Sequence, residues 1–366
     1  MSSVLLAGDP VLRTPADVVR WFGAVQSQDF GPAKWSLGER LPGITDAEVQ
    51  RSFDAGEFLR THVLRPTWHF VTPEDIRWLL RLTAPRVHAT NAYAYRRAGL
   101  DDGAFAKAHA LLAEALDGGI PRTRKELAEV VGGAGLPSTG FGLGYLLMHA
   151  ELDGLICSGP SRGKQHTYTL LEARVPAAPE RDPDEALAEL VTRYFTSHGP
   201  ATAKDLRWWS SLTLADIARG VALAGDRLRH DLVDGVSYWS GWQESTVLPS
   251  PTVHLLQGYD EYVVAFAESK YVLDVSGLAR ALPPGTSVPN GVLLLNGQVT
   301  GHWKRMCTKD TLLVEAVLHR PLGYAESQAL EAAAARQATY LNLRPRVTTS
   351  LLPERGQSSV CPEVGQ

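Results

Sequence analysis

The sequence has few of the features that mark metal, disulfide or membrane proteins. Its three cysteines, Cys157, Cys307 and Cys361, lie too far apart for a zinc-binding pair and cannot pair completely as disulfides. No apolar run reaches the ~18–20 residues that span a bilayer, and the first residues, MSSVLLAGDPVLR, lack the basic and apolar segments of a signal peptide. We therefore expect a reduced, cytoplasmic protein with no membrane partner.

Nucleotide and metal fingerprints are also missing. The chain contains no Walker loop, no zinc spacing and no GxGxxG segment, so we expect neither a cofactor nor a metal. A strong excess of positive charge is lacking too, because 36 basic residues face 40 acidic ones and the net charge is −4. This balance argues against a general nucleic-acid coat protein. It still allows basic loops on a neutral body.

What the sequence does contain is the composition of a globular protein in several parts. Hydrophobic residues make up 44% and charged residues 21% of the 366 residues, which is typical of a soluble fold with two or three domains. The pattern predicts an α+β protein that is mainly helical.

Three helix-rich units, each closing on a β-hairpin, follow one another along the chain. The hairpins are predicted at 58–71, 155–171 and 226–241, the last with an Asp-Gly turn at 234–235. Helices followed by a hairpin are the pattern of a winged helix, so we predict a tandem winged-helix fold. The predicted boundaries are 1–72, 73–175 and 180–245 for the three units, 247–345 for a β-rich C-terminal section, and 346–366 for a disordered tail.

The first unit carries an unusual polar segment. Helices are predicted at 14–25, 32–41 and 45–56, the last with a Thr45/Glu48 capping box, and the segment QSQDF separates the first two. In an extended segment, residues i and i+2 project from one face about 7 Å apart along the chain. Gln26 and Gln28 would then present two carbonyl acceptors and two amide donors toward one point, which suits the orientation of a water molecule.

Four segments in order resemble the AlkZ-like winged-helix DNA glycosylases. They are QSQDF with PAKWSLGERL, LRTHVLRPTWHFVTPEDIRWLL, YFTSHGPATAKDLRWWSSL, and LLQGYDEYVVAF with NGQVTGHWKR. The resemblance covers about residues 10–340. It matches the branch with a Gln–apolar–Gln motif and departs from it at Ser27, which replaces the apolar residue and puts local packing in question more than chemistry.

The resemblance implies a fold, an activity and a partner. Members of this family arrange tandem winged helices in a C-shape around DNA and excise bulky N7-alkylguanine adducts, including the interstrand crosslinks that genotoxic natural products leave. It implies double-stranded DNA with an alkylated guanine as the partner, a monomeric enzyme, and a role in genotoxin self-resistance. Gln26 and Gln28 are then the catalytic candidates.

Two amides suffice for such a reaction because the substrate supplies what they lack. A guanine alkylated at N7 is positively charged and leaves as a neutral base without a general acid. An oxocarbenium-like sugar remains, which needs a well-placed water and a favourable electrostatic environment. Asp29 is a weaker candidate for stabilising that cation, because alternation points it to the other face.

The segment RPTWHF supplies candidates for a lesion pocket. Arg65, Trp68 and His69 lie close together on the predicted hairpin, with Trp68 as a stacking residue and His69 as a contact to a phosphate or the base. Alternation means that Trp68 and His69 cannot both face the site. A buried tryptophan beside a hydrogen-bonded histidine is the structural alternative.

Basic segments without acids are the predicted DNA contacts. They comprise the hairpin 158–168, the hairpin 296–309 and the start of the helix at 121–131. The named residues are Arg162, Lys164, Gln165 and His166; His302, Lys304, Arg305 and Lys309; and Arg122, Arg124 and Lys125. Solvated turns, or salt bridges from the helix start to Glu126 and Glu129, are the alternatives. Which hairpin enters the DNA groove stays open.

Other conspicuous residues favour structural roles. Trp208 and Trp209 are interpreted as core residues, and Asp260 and Glu261 as structural or rim residues, because no second carboxylate pair lies near them. Lys34 follows the glutamine motif, but a lysine on the next helix is usually on the surface, so we expect no Schiff-base lyase chemistry.

The sequence thus predicts a monofunctional DNA glycosylase for bulky N7-alkylguanine lesions. A winged-helix transcriptional regulator, whose glutamines only contact DNA, is the first alternative. A protein that sequesters the genotoxic natural product is the second. Lesion-dependent base release separates the glycosylase from both.

Overall fold

The computed structural model describes residues 3–6, 12–242, 250–275 and 291–352. The chain divides into two compact units. The first comprises Met1–Val247 and Tyr259–Tyr271, and the second comprises Leu248–Gly258 and Val272–Gln366. Of the helices in the described ranges, none combines the length and the apolar character that crossing a membrane requires.

The first unit contains twelve α-helices and eight short strands among its described residues. Its helices are α1 Pro15–Phe22, α2 Phe30–Gly38, α3 Asp46–Ala55, α4 Pro73–Arg97, α5 Asp102–Leu116, α6 Arg124–Gly133, α7 Gly140–Leu152, α8 Leu171–Arg174, α9 Pro183–His198, α10 Ala203–Ser210, α11 Leu214–Ala224 and α12 Glu261–Val264. Its strands are β1 Val25–Gln26, β2 Leu59–Val63, β3 Arg65–Val71, β4 Arg122–Thr123, β5 Ile156–Ser158, β6 Thr167–Leu170, β7 Arg229–Val233 and β8 Val236–Ser240.

Capping boxes fix the starts of several of these helices. In each, a threonine side chain accepts from the backbone N–H three residues on, and an acidic side chain at that position accepts from the threonine N–H. The five threonines are Thr14, Thr45, Thr123, Thr202 and Thr213. The start of α3 that was predicted from Thr45 and Glu48 is therefore present.

The three predicted hairpins form, and two of them gain a short third strand. The sheets have the orders β1-β3-β2 and β4-β6-β5, and β7 and β8 pair alone. Asp234 and Gly235 have φ angles of 50° and 76°, as the tight turn between β7 and β8 requires. The added strand β1 places Gln26 opposite His69 on β3.

A continuous hydrophobic core runs through the first unit. It extends from Ala24 through Leu190 on α9 to Phe266, and Tyr194 and Trp209 are fully buried within it. Residues from all three predicted segments, 1–72, 73–175 and 180–245, contribute to this cluster.

The second unit is a five-stranded sheet with one helix. Its elements are β9 Val253–Gln257, β10 Gly291–Leu295, β11 Gln298–Cys307, β12 Thr311–Leu318, α13 Tyr324–Leu341 and β13 Arg344–Leu351. The sheet order is β13-β12-β11-β10-β9, and β13 pairs with β12 in parallel. Buried alanines and Leu330 on α13 pack in the core of this unit.

The C-terminal prediction differs from the structure in one respect. The alanine-rich helix forms where expected, but β13 extends the ordered chain to Leu351, into the region predicted to be a disordered tail from 346. The rest of that predicted tail, 353–366, lies outside the described residues.

Candidate active site and basic cleft

The segment with the two glutamines runs along the edge of the first sheet. Gly23 ends α1 with a φ of 80°, and the chain then pairs with β3. The Ser27 N–H donates to the Trp68 carbonyl at 2.7 Å, which continues the pairing beyond β1. Gln26 is 5% exposed and Ser27 is fully buried, whereas Gln28 is exposed.

Both glutamine carbonyls accept from β3. Arg65 Nη2 donates to Gln26 Oε1 at 2.7 Å, and the Trp68 N–H donates to Gln28 Oε1 at 3.4 Å. Each amide NH₂ remains a donor, and each carbonyl has a second lone pair. These hydrogen bonds orient each amide with its carbonyl oxygen toward β3, and the positive charge of Arg65 polarises the Gln26 carbonyl.

A second arginine holds the backbone of the same segment. Arg60 on β2 donates from Nε and Nη2 to the Ser27 carbonyl at 3.0 and 2.9 Å, and from Nη2 to the Gln28 carbonyl at 3.2 Å. Its guanidinium lies 4.4 Å from the centre of the Trp68 ring. Burial lowers the pKa of Arg60, but a guanidinium stays charged at any physiological pH.

Glu261 supports the motif from the protein interior. The Gln26 N–H donates to Glu261 Oε1 at 2.6 Å, and the Trp209 indole N–H donates to Oε2 at 2.9 Å. His198 Nε2 lies 3.2 Å from Oε2. Glu261 is only 1% exposed, so this carboxylate organises the motif without facing solvent. Sequence reasoning missed this role, because only the tertiary fold joins residues 26 and 261.

The neighbouring Asp260 is structural, in line with its interpretation from the sequence. Arg40 Nη1 and Nη2 donate to its two carboxylate oxygens at 2.8 Å each, and all these atoms are buried. Burial alone raises the pKa of Asp260, but the charge and hydrogen bonds of Arg40 outweigh it, so the pKa is lowered. Asp260 also caps α12 through the Tyr262 N–H at 3.0 Å.

The predicted lesion-pocket residues occupy different environments. His69 is fully buried, with Nδ1 at 3.0 Å from the Thr67 carbonyl. Burial, assisted by Arg65, holds its pKa well below the usual value, so the ring is neutral. Trp68 instead lines an open cleft, and Asp29 is exposed at the start of α2. The His69 ring cannot contact a phosphate or a base, because no edge of it reaches the surface.

The cleft beside Trp68 has a volume of about 1160 Å³. Cations and histidines line it together with aromatic rings: Arg60, Arg124, Lys125, Lys164, His62, His166, Trp68, Phe141, Tyr145 and Tyr168. The described residues that line it include no carboxylate. Arg124, Lys125 and Lys164, with the more buried Arg60, place positive charge on one concave surface, which suits a polyanion.

The structure brings two of the predicted basic segments into this cleft. Lys164, Gln165 and His166 come from the loop between β5 and β6, and Arg124 and Lys125 come from the first turn of α6.

Two other predicted cations are engaged in internal contacts instead. Arg162 donates to Glu126 at 2.8 Å and to the Pro121 carbonyl at 2.6 Å, and Arg122 donates to the Ala115 carbonyl at 2.9 Å. The backbone hydrogen bond from Thr123, followed by the Arg162 hydrogen bond, lowers the pKa of Glu126 to about 2. Glu126 is therefore the ionised partner of Arg162.

The third basic segment, 296–309, lies in the second unit on β11 and beyond. Lys304 pairs with Glu315 at 3.0 Å, Arg305 is half-buried, and Lys309 is exposed. His302 is buried 5.3 Å from His319 between ring centres, and burial with the nearby His319 lowers the pKa of His302 to about 4. Its neutral, inward ring does not offer the phosphate contact that the sequence suggested.

Two further sequence interpretations meet a mixed outcome. Trp209 is fully buried as expected, but Trp208 is 54% exposed and its ring lies 5.8 Å from the Arg65 guanidinium. Lys34, expected on the surface, is buried and its Nζ donates to Asp46 at 2.9 Å and to Gln50 at 3.0 Å.

Comparisons with known proteins identify a family, a relative and a solved structure that this chain resembles. The family described as DNA glycosylase AlkZ-like matches residues 19–340. An interstrand DNA cross-link repair glycosylase of Streptomyces sahachiroi is 24% identical over 303 residues, covering 79% of this chain and 81% of that protein. The solved structure of the Streptomyces sahachiroi DNA glycosylase AlkZ superposes with a TM-score of 0.79 at 22% identity, covering 95% of this chain and 96% of that one.

Proposed function

The chain belongs to the AlkZ-like family of DNA glycosylases, and we propose that it hydrolyses the N-glycosidic bond of bulky N7-alkylguanine lesions, interstrand crosslinks among them. The observation that carries this proposal is the pair Gln26 and Gln28, held by Arg65 and β3 next to a large cleft lined by cations. The name of the curated relative, a cross-link repair glycosylase, supports a bulky substrate.

The proposed chemistry relies on positioning rather than on proton transfer. The amides of Gln26 and Gln28 orient a water molecule toward C1′ of the damaged nucleotide. N7-alkylguanine departs as a neutral base, so no general acid is required. As the C1′–N9 bond breaks, the departing base takes the bonding electron pair and the sugar becomes cationic. The oriented water forms the new C1′–O bond and releases its proton to bulk water, and the amide carbonyls stabilise the positive charge on that water as it reacts.

The proposed DNA partner follows from the cleft. Arg124, Lys125 and Lys164 contact phosphates of double-stranded DNA, while Trp68 stacks on the lesion or a neighbouring base. A cleft of about 1160 Å³ that is open to solvent admits a bulky adduct without a closed pocket for a flipped base. We propose that a monomer carries out the reaction.

The test is release of abasic sites from a duplex with a single N7-alkylguanine. Wild type, Gln26→Ala, Gln28→Ala and the double variant are compared in single turnover, with Gln328→Ala as the control because Gln328 is an exposed glutamine on α13 in the second unit. We expect each motif variant to lose about 100-fold in rate, the scale of a misplaced reactant. DNA affinity and the control should match wild type.

Two outcomes would overturn the proposal. One is full activity in the double variant. The other is an inactive wild type across simple and bulky N7 adducts together with tight binding to one intact sequence, which is the behaviour of a winged-helix regulator.

A further inference from the structure

A group of histidines outside the proposed active site converges on one carboxylate. His88 lies on α4, His109 on α5, His149 on α7, and Asp153 follows directly after α7. The side chains are partly buried, at 24%, 23% and 18% exposure for the histidines and 41% for Asp153. Neither the glutamine motif nor the cationic cleft uses these four residues.

His88, His149 and Asp153 each bring one possible metal-ligand atom within 4.8 Å of those of the other two. His88 Nε2 lies 3.0 Å from Asp153 Oδ1, and His149 Nδ1 lies 3.3 Å from Asp153 Oδ2. His109 Nε2 lies 3.2 Å from His149 Nδ1. In a tetrahedral zinc site with bonds of about 2.0–2.1 Å, neighbouring ligand atoms are roughly 3.3 Å apart.

The convergence is difficult to explain by hydrogen bonds alone. His149 Nδ1 faces both a carboxylate oxygen and the nitrogen of a second imidazole, and a single N–H satisfies only one of them. A cation bound between His88, His149 and Asp153 would accept a lone pair from each of these three side chains.

An outer partner orients one of the rings. His88 Nδ1 lies 3.3 Å from the Tyr95 hydroxyl, so the nitrogen that faces away from the cluster has its own partner. Histidine ligands of metals usually have such a partner on the second nitrogen. Phe105 stacks on His149 with ring centres 3.8 Å apart, which further fixes that ring.

We propose that His88, His149 and Asp153 bind one Zn²⁺ ion and that His109, which contacts His149, is its fourth ligand. The ion then joins α4, α5 and α7. Its role is structural: the ion fixes α4 relative to α7. This holds the cleft residue Asn91 on α4 and the cleft residues Tyr145 and Met148 on α7 in their relative positions. Sequence patterns predicted no metal, since the ligands lie on three helices and only the i,i+4 spacing of His149 and Asp153 is local.

The first test uses the metal alone and the full chain. After dialysis against a chelator, wild type is titrated with Zn²⁺ by calorimetry and with Co²⁺ by visible absorption. We expect one equivalent of Zn²⁺ per chain and the intense ligand-field bands of tetrahedral Co²⁺. A Cys307→Ser variant, which removes the exposed thiol of the part of the chain that the structure describes, should bind identically.

The second test assigns the ligands. His149→Ala and Asp153→Asn should each lower Zn²⁺ affinity by more than the roughly 10–100-fold that loss of an outer partner costs. His230→Ala is the matched control, because His230 is exposed on β7 in the same unit. Zn²⁺ should raise the Tm of wild type and of this control, but not of the ligand variants.

Three results would overturn the proposal. Wild type could bind no stoichiometric Zn²⁺, which would leave the cluster as a hydrogen-bonded network. The Co²⁺ complex could lack tetrahedral bands, which decides the matter even if the variants fail to fold. His149→Ala could bind Zn²⁺ as tightly as the His230→Ala control.

Discussion

At the scale of single residues, the glutamine motif depends on side chains that the motif itself does not reveal. Arg65 and Arg60 could be suspected from RPTWHF and LRTHV, because both lie on a hairpin that follows the motif closely in sequence. Glu261 could not, since it lies 235 residues away from Gln26 and reaches it only through the fold. Local patterns identify what a site contains, and long-range contacts decide how it is held.

Glu261→Gln tests this support. The amide keeps the size of the carboxylate but loses the charge that the Gln26 N–H, the Trp209 indole and His198 share. We expect a loss of about 1–3 kcal/mol in unfolding free energy, the scale of hydrogen bonds to charged groups. We also expect a lower rate of base release at saturating DNA, with DNA affinity unchanged.

A matched comparison separates positioning from general destabilisation. Asp205→Asn removes another buried carboxylate of the same unit, which accepts from the Ala267 and Ser269 N–H groups and not from the motif. It should lower stability while leaving the single-turnover rate of the folded protein intact. If both variants lost the same rate, general destabilisation would explain the loss, and the positioning role proposed for Glu261 would be wrong.

His69 makes stability depend on pH. Its folded pKa lies well below the value of about 6.5 expected in the unfolded chain, mainly because of burial. Below about pH 6.5 the unfolded state therefore takes up a proton that the folded state refuses, and stability falls on acidification by at most about 1.4 kcal/mol per pH unit from this residue. Above that pH the effect vanishes.

Urea denaturation at pH values from about 7.5 to about 5.0 measures how the free energy of unfolding changes with pH. This range brackets the unfolded-state pKa of about 6.5. His69→Asn retains a donor for the Thr67 carbonyl but cannot titrate, so its slope should be shallower than that of wild type. His230→Asn, at an exposed position, should retain the wild-type slope. Identical slopes in wild type and His69→Asn would contradict the assignment of this pH dependence to His69.

At the scale of elements, the hairpins and capped helices could be predicted, and the added strands could not. Alternation and turn residues identify β2–β3, β5–β6 and β7–β8, and threonine caps identify α1 and α3. Two-residue strands such as β1 are too short to show a period. The parallel strand β13 exists because β12 offers it a free edge, which a local pattern does not show.

The loop between β5 and β6 and the start of α6 both line the cleft, and a charge comparison tests whether they act together. Lys164→Ala and Lys125→Ala should weaken DNA binding and each reduce the slope of log K against log salt by about 1.

Lys204→Ala is the control, because Lys204 pairs with Glu268 and does not line the cleft. Arg162→Ala should alter the slope less than Lys164→Ala, since Glu126 already neutralises that guanidinium. A full unit of slope lost with Lys204→Ala would contradict this use of the cleft.

At the scale of the whole molecule, the resemblance covered nearly the same residues as the family match, about 10–340 against 19–340. The division into units was less accessible to sequence. Tyr259–Tyr271 belongs to the first unit although β9, just before it, belongs to the second. Local sequence does not mark such an excursion of the chain, because only long-range contacts show which core a segment joins. Ala265 and Phe266 from this segment pack in the hydrophobic core of the first unit.

Because each unit has a hydrophobic core of its own, destabilisation should stay within one unit. Leu190→Ala on α9 and Leu255→Ala on β9 each remove a fully buried side chain, and each should cost about 2–5 kcal/mol locally. Hydrogen exchange followed by mass spectrometry should show lost protection in α9 and α11 for Leu190→Ala, and in β9–β12 for Leu255→Ala. If either variant instead lowers protection equally throughout the described helices and strands, the chain unfolds as a single cooperative body. In that case the metal proposed for α4, α5 and α7 would stabilise the second unit as much as the first.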